Sequence, residues 1–312
     1  MATTTPVRAM STRTTLGAVL LVSILAGGNF TAIKFAVDHT TPLFLTAMRA
    51  IIGGAILFVV ARVRGEQVPR SAKEFGNIFV VAVTVTTASS GLLVFGVSRV
   101  PAGVASLIAS TMPLFTAVLA FALLATRTPR AAAFGLALGF GGTATLASGS
   151  ISGDTSVIGL IAMLGAAFTW ALGTVYMKWA DFTRISPIML VSIQLPMSAA
   201  ILVPLAFLFE DLGQTEWNMG LFVPLAYAAI VASAGNFTLL ATITLYASPT
   251  QAASTAYLMP LFGVLFAWLI ADETLGWAEL GGGVLIVIGV YFVVTATARA
   301  RARAAVPTPV PT

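Results

Sequence analysis

The residues of this 312-residue chain that could do chemistry are few, and they suit binding better than bond-making. There is no Cys and a single His, His39. That leaves no thiolate nucleophile, no disulfide and no imidazole cluster for a metal. The Asp and Glu residues all lie in short polar breaks or at the ends of long apolar stretches. A Ser-His, paired-Asp or His-Glu metal constellation at membrane depth, as an intramembrane hydrolase needs, therefore cannot be assembled. No enzyme activity, cofactor or metal is expected. What the apolar stretches do contain is three cations, Lys34, Arg49 and Lys178, two amides, Asn29 and Asn236, and hydroxyls that include Ser89, Ser90, Ser110 and Ser254. A guanidinium in hydrocarbon is costly unless it finds acceptors. Arg49 therefore reads either as an anchor for a substrate carboxylate or a gate, or as a structural donor to carbonyls at a helix break. Lys34 and Lys178 stand near stretch ends, where the aliphatic stem can carry the ammonium to the interface. Ser and Thr hydroxyls commonly bond to carbonyls of their own helix, which makes the two Asn residues the more telling. Trp170 and Tyr257, with Phe30 and Phe168, are candidates for an aromatic wall against a planar or cationic ligand.

The elements that must position these residues follow from composition. The chain is 58% hydrophobic and only 9% charged, with a mean hydropathy of +0.98. Soluble domains carry about 25% charged residues, so the solvent here is mostly lipid. A helix needs roughly 20 apolar residues to cross about 30 Å of hydrocarbon, and ten stretches qualify. They run about Thr15 to Val37, Pro42 to Ala61, Gly76 to Gly96, Pro101 to Leu124, Ala131 to Ala147, Ser156 to Trp179, Ser186 to Phe209, Gly220 to Tyr246, Pro249 to Ala271 and Gly276 to Ala298. They are continuously apolar and do not alternate, which indicates helices rather than barrel strands. Arg8 and Arg13 ahead of the first stretch imitate a signal peptide, but apolar character continues through Phe30 and Ile33 to Val37, so the stretch is read as part of the mature protein. With a cytoplasmic N-terminus, the inside loops hold thirteen of sixteen Lys and Arg, all but Lys34, Arg49 and Arg99. The outside loops hold eight of eleven acids, all but Glu66, Glu74 and Asp181. This positive-inside bias places both termini in the cytoplasm.

The chain also repeats itself. Met112-Pro113-Leu114-Phe115 recurs as Met259-Pro260-Leu261-Phe262 at an offset of 147, which also pairs Gly135 with Gly282 and Gly142 with Gly289. Lys34 pairs with Lys178, Pro42 with Pro187, and Ala88-Ser89-Ser90-Gly91 with Ala232-Ser233-Ala234-Gly235, at offsets of 144 or 145. Five spans per copy is an odd number, so the second copy must insert upside down. Inverted repeats are a transporter signature, in which two halves expose a midplane site to one side at a time. The expected fold is thus an all-α integral membrane protein of ten helices in two inverted five-helix repeats. Residues 1–14 form a cytoplasmic segment, 15–148 the first repeat and 149–298 the second. Residues 299–312 are expected to be a disordered basic, Pro-containing tail. Pro113 and Pro260 fall mid-span, where a proline removes a backbone hydrogen bond and kinks the helix. They read as a symmetry-related pair of hinges, or as static kinks.

Gly27-Gly28-Asn29-Phe30, Ala32-Ile33-Lys34, Thr41-Pro42 and Arg49 resemble the opening of the EamA-type repeat of the drug/metabolite transporter superfamily. Trp170, Lys178, Ser186-Pro187, Tyr246-Ala247-Ser248, Met259-Pro260-Leu261-Phe262 and Asp272-Glu273 are similar to its second copy. The resemblance implies a ten-helix exporter or permease of small metabolites in the bacterial inner membrane, with a central cavity. It is closest in look to exporters of amino acids, aromatic ones included, and of cationic toxicants such as methyl viologen. The halves have diverged: Ala26 stands where the family commonly has Trp, Thr126-Arg127 replaces the acidic turn in the first copy, and Gln194 stands opposite Arg49. No acid lies mid-span, so uncoupled or exchange transport is the simpler expectation than proton coupling through a buried carboxylate. A channel is the alternative outside the carrier class. The expected partners are the substrate and the bilayer, with no nucleic acid. Each half needs the other to enclose the cavity, which is compatible with a functional monomer. Because the chain has no Cys, a single introduced thiol reports topology directly. Gln214→Cys should react with an impermeant maleimide on intact cells and Gln67→Cys only after permeabilisation; the reverse pattern would sink the orientation.

Overall fold

The computed structural model describes residues 12–124, 129–150, 156–180, 182, 184–236, 239 and 255–304, and these are all helix, turn or short connection without a strand. In hydrocarbon every backbone N–H and C=O must be satisfied within its own segment, and the helix does this. The elements are α1 (Thr12–Val37), α2 (Pro42–Val63), α3 (Ala72–Val81), α4 (Ser89–Val97), α5 (Ala102–Ala109), α6 (Met112–Leu124), α7 (Arg130–Ser150), α8 (Val157–Trp179), α9 (Pro187–Phe209), α10 (Met219–Ala226), α11 (Thr255–Ala271) and α12 (Trp277–Ala304). A π-helical stretch, Ala82–Ala88, joins α3 to α4, and another, Tyr227–Gly235, continues α10. Among the described residues, seven helical runs are long and apolar enough to cross a membrane, and two more apolar runs are shorter. Large side chains such as Val59, Phe121, Ile161, Phe207 and Val284 point outward, as a lipid-facing surface requires.

Three expectations shift. The third helix starts at Ala72 rather than Gly76, because Ser71 and Glu74 form a reciprocal capping box there. The basic segment expected to be disordered from residue 299 is instead helical through Ala304; Ala and Arg are good helix formers and extend a helix already nucleated. The fourth span is two helices, broken at Ser110 and Thr111. Pro113 therefore sits in the first turn of α6, where no intrahelical donor is needed, whereas Pro260 lies inside α11. Parts of the expected eighth and ninth spans, residues 237–238 and 240–254 with Ser254 among them, lie outside the described residues.

Small residues set how the helices cross. A Cβ on Gly135 would stand 2.6 Å from the Gly289 carbonyl oxygen, and one on Gly142 would stand 2.6 Å from that of Gly282. Rising numbers on α7 meet falling numbers on α12, so the two run antiparallel. The helices α2 and α9 also run antiparallel, since Leu43 meets Glu210 and Gly54 meets Pro196. So do α4 and α8, where Gly96 meets Met163 and Ser89 meets Ala166. The α1 helix packs parallel to α11 through Gly27 and Gly263. A Gly135→Ala substitution gains up to about 1 kcal/mol of helix propensity, but it meets backbone on α12 that cannot move aside, an overpacking worth about 1–3 kcal/mol. Gly135→Ala and Gly142→Ala should lower the melting temperature in detergent. Gly141→Ala, whose Cβ would meet nothing within 4 Å, should leave it unchanged or slightly raised.

Candidate functional site

The two π-helical stretches occupy matching places, since Ala82 and Tyr227 are 145 residues apart and Ala88 and Gly235 are 147 apart. A π turn widens a helix, and such turns recur at functional sites. Both stretches face one interior cavity of about 30 Å³. Its walls are Thr46, Arg49 and Ala50 of α2, Val85 and Thr86 of the first π stretch and Ser90 of α4, with Trp170 of α8, Leu195 of α9 and Ser233 of the second π stretch. Residues on six helical segments thus converge on one point, and Arg49 is the one charged residue among those named.

The polar groups of this cavity are organised by their partners. The Thr46 hydroxyl donates to the Pro42 carbonyl at 2.8 Å, and that of Ser233 to the Ala228 carbonyl at 2.8 Å. The five-residue reach of the Ser233 bond is the one a π turn provides. Thr86 Oγ1 accepts from Nε2 of the buried Gln194. Nε and Nη1 of Arg49 are buried without a hydrogen-bond partner, as are the Oδ1 atoms of Asn29 and Asn236.

Of the residues singled out from sequence, Arg49, Ser90 and Trp170 therefore meet at one cavity. Others do not join them. Phe30 is buried in a core cluster with Ile33, Val94 and Val97. Ser89 donates to the Ala166 carbonyl at 2.8 Å, tying α4 to α8, and Ser110 donates to the Leu107 carbonyl at the break in the fourth span. Phe168 is 41% exposed and stacks edge-on to Phe115. It stands two residues from Trp170, about 200° round the helix, and so cannot share its wall. Lys34 Nζ donates to the carbonyls of Val97 and Val100, at 3.3 and 3.4 Å, at the C-terminus of α4. A cation is favourable there because the helix ends in unsatisfied carbonyls. The side chains of Lys178 and Tyr257 are outside the described part of the structure.

Sequence reading missed Gln194 as a partner of Thr86, and it missed two acids that bind helix ends. Glu210 accepts from the backbone N–H of Leu43 and Phe44, at 2.8 and 3.0 Å. Glu273 accepts from those of Ala102 and Gly103, at 2.7 and 2.9 Å. Asp272 takes a left-handed φ of 51° that ends α11 and delivers Glu273 to the start of α5. At the same end of the bundle Thr40 bonds Thr215 at 3.0 Å, and His39 Nδ1 lies 2.8 Å from Glu216. The His39 hydrogen bond and charge, with Asn218, hold the Glu216 carboxyl below its usual range.

The antiparallel packing of α2 with α9 and of α7 with α12 is matched by what the chain is similar to. The description "EamA-like transporter family" fits it twice, over residues 13–148 and 157–295. The chain belongs to that family. This EamA-like membrane transporter is 30% identical over 285 residues to the transporter YvbV of Bacillus subtilis (strain 168), covering 91% of this chain and 92% of that one. It is 26% identical over 294 residues to a probable amino-acid metabolite efflux pump of Escherichia coli (strain K12), covering 88% and 93%. It is also 26% identical over 285 residues to the E. coli inner membrane transporter YedA, covering 88% and 91%. A crystal structure with a TM-score of 0.64 and 21% identity, covering 91% of this chain and 99% of that one, shares the fold.

Removing the Glu273 carboxylate leaves two part-buried N–H groups without acceptors, a loss of about 1–3 kcal/mol. Glu273→Ala and Glu210→Ala should therefore lower thermal stability clearly in detergent. Glu216→Ala, whose side chain is 63% exposed, should have little effect, because exposed ion pairs contribute about 0–1 kcal/mol.

Proposed function

We propose that this transporter is a secondary carrier that exports small metabolites, amino acids including aromatic ones, across the bacterial inner membrane by alternating access. Ten helices cross the bilayer, both termini are cytoplasmic, and residues 15–148 and 149–298 form the two inverted halves. The observation that carries the reading is the cavity itself. It lies between π-helical stretches at matching positions in the third helix of each half, which is where rocking of one half against the other would expose a site to alternate sides. The relatives named as amino-acid metabolite efflux pumps support the substrate class. The described lining residues include no Asp, Glu or His, which fits flux driven by substrate gradients or exchange rather than by protons. Export of a cationic drug is the weaker reading, since the charged residue of the cavity is Arg49. Lys34, Glu210 and Glu273, all tying helix ends on the side where α1 finishes, form the outer gate. Pro260 within α11 serves as a hinge, and the break before Pro113 serves as its counterpart.

Purified protein in proteoliposomes tests this with labelled phenylalanine, threonine and methyl viologen, each with and without a pH gradient. The expected result is saturable phenylalanine flux, indifferent to the gradient and accelerated by unlabelled substrate on the far side. Non-saturating flux without counterflow would make the protein a channel. Movement of methyl viologen alone would replace the substrate class.

A further inference from the structure

Among the described residues, a guanidinium with two buried nitrogens and no partner for either is the most unusual feature. Nε and Nη1 of Arg49 are buried without partners, and no ion pair to a described acid involves them. Donation to carbonyls at a helix break, the structural role open to it from sequence, is not made by Nε or Nη1, and α2 itself is continuous from Pro42 to Val63. A cation held in such a place calls for an anion to complete it.

The hydroxyls around it are sorted by their own hydrogen bonds. One lone pair of Thr86 Oγ1 accepts from Gln194 Nε2, which leaves the Thr86 proton to donate elsewhere. Thr46 and Ser233 have already given their protons to the carbonyls of Pro42 and Ala228, so they present only lone pairs to the cavity. Donors on Arg49 and Thr86 thus share a space of about 30 Å³ with acceptors on Thr46 and Ser233. That volume holds roughly two waters, the size of a charged headgroup rather than of a whole substrate.

We infer that Arg49 and Thr86 form a carboxylate subsite, with Thr46 and Ser233 receiving the ammonium of the same molecule, so that the carrier selects zwitterionic amino acids over organic cations. Gln194 is a positioning residue that aims the Thr86 proton. The inference rests on the carrier reading above and deepens it.

Calorimetric titration and thermal shift of the purified full chain, with three probes, test it apart from transport. Phenylalanine carries both charges, 3-phenylpropanoate only the carboxylate, and phenethylamine only the ammonium. Phenylalanine and 3-phenylpropanoate should bind and phenethylamine should not. Arg49→Gln should weaken carboxylate binding by about 10- to 150-fold, the worth of a hydrogen bond to a charged group. Thr86→Val should also weaken it by about 10- to 150-fold, since its hydroxyl donates to the same charged group. Should Arg49→Gln not fold, Arg49→Lys and Thr86→Val carry the test, both expected to bind carboxylates more weakly than wild type. If phenethylamine binds as well as phenylalanine, if the folded variants bind carboxylates as wild type does, or if no carboxylate probe binds folded wild-type protein, the subsite is overturned whatever the flux assay shows. Carboxylate binding controlled by Arg49 in a protein that moves no amino acid keeps the subsite and overturns the carrier reading instead.

Discussion

The bundle depends on one constraint: at membrane depth a backbone polar group released from its helix must be satisfied by another protein group, since lipid offers none. Each described departure from regular helix meets that demand locally or across the bundle. The break in the fourth span is closed by the hydroxyls of Ser110 and Thr111 on the carbonyls of Leu107 and Ile108. The π stretch of Tyr227–Gly235 is spanned by Ser233. The first N–H groups of α2 and α5 are capped by Glu210 and Glu273, which follow α9 and α11. These acids belong to the second half of the chain and the helices they cap to the first, so the halves complete each other's backbone as well as each other's cavity.

That dependence bears on the proposed alternating access, in which two halves must both hold together and move. The crossings of α7 with α12 and of α1 with α11 are made by glycines against backbone, which favours tight packing without the interlocking side chains that resist sliding. The charge-assisted bonds between elements gather at one end of the bundle, at Lys34, Glu210 and Glu273 beside the Thr40–Thr215 pair, while neutral ones such as Ser89 to Ala166, Thr87 to Ser198 and Tyr176 to Asn77 tie elements elsewhere. A carboxylate on two helix N–H groups is directional and charge-assisted, yet it is one contact that a rigid-body rotation can break whole. Packing of this kind has few intermediate arrangements, the property a two-state carrier needs.

Much of the fold was legible because lipid imposes length and composition, in the apolar runs and the repeated Met-Pro-Leu-Phe. The site was legible only in its charged and indole members. Arg49 stands out because any cation in hydrocarbon does, and Trp170 because of its size. Ser89, Ser110 and Phe30 looked equally good, since a list of polar or aromatic positions does not say which face of a helix turns inward. The π stretches are a change of backbone register with no residue signature, so Thr86 and Ser233 could not be placed beforehand. Glu210 and Glu273 were visible as loop acids, but only the fold brings them to helix ends more than 160 residues away in sequence.

The unpartnered guanidinium gives the cycle a direction of argument. With the carboxylate subsite assigned to Arg49, the guanidinium is unpaired in the empty cavity and ion-paired in the loaded one. Sealing an unpaired guanidinium from water is costlier than sealing one paired with a carboxylate, so the loaded protein passes through the closed arrangement more readily than the empty one. A substrate can shift a conformational equilibrium only by binding one state better than another, and here the preferred state is the one that excludes water from Arg49. Faster movement of the loaded form is what exchange transport requires, and counterflow in proteoliposomes with and without internal substrate measures it. No buried carboxylate is then needed to couple the cycle to protons, because the residue that discriminates loaded from empty is a permanent cation whose partner arrives with the substrate.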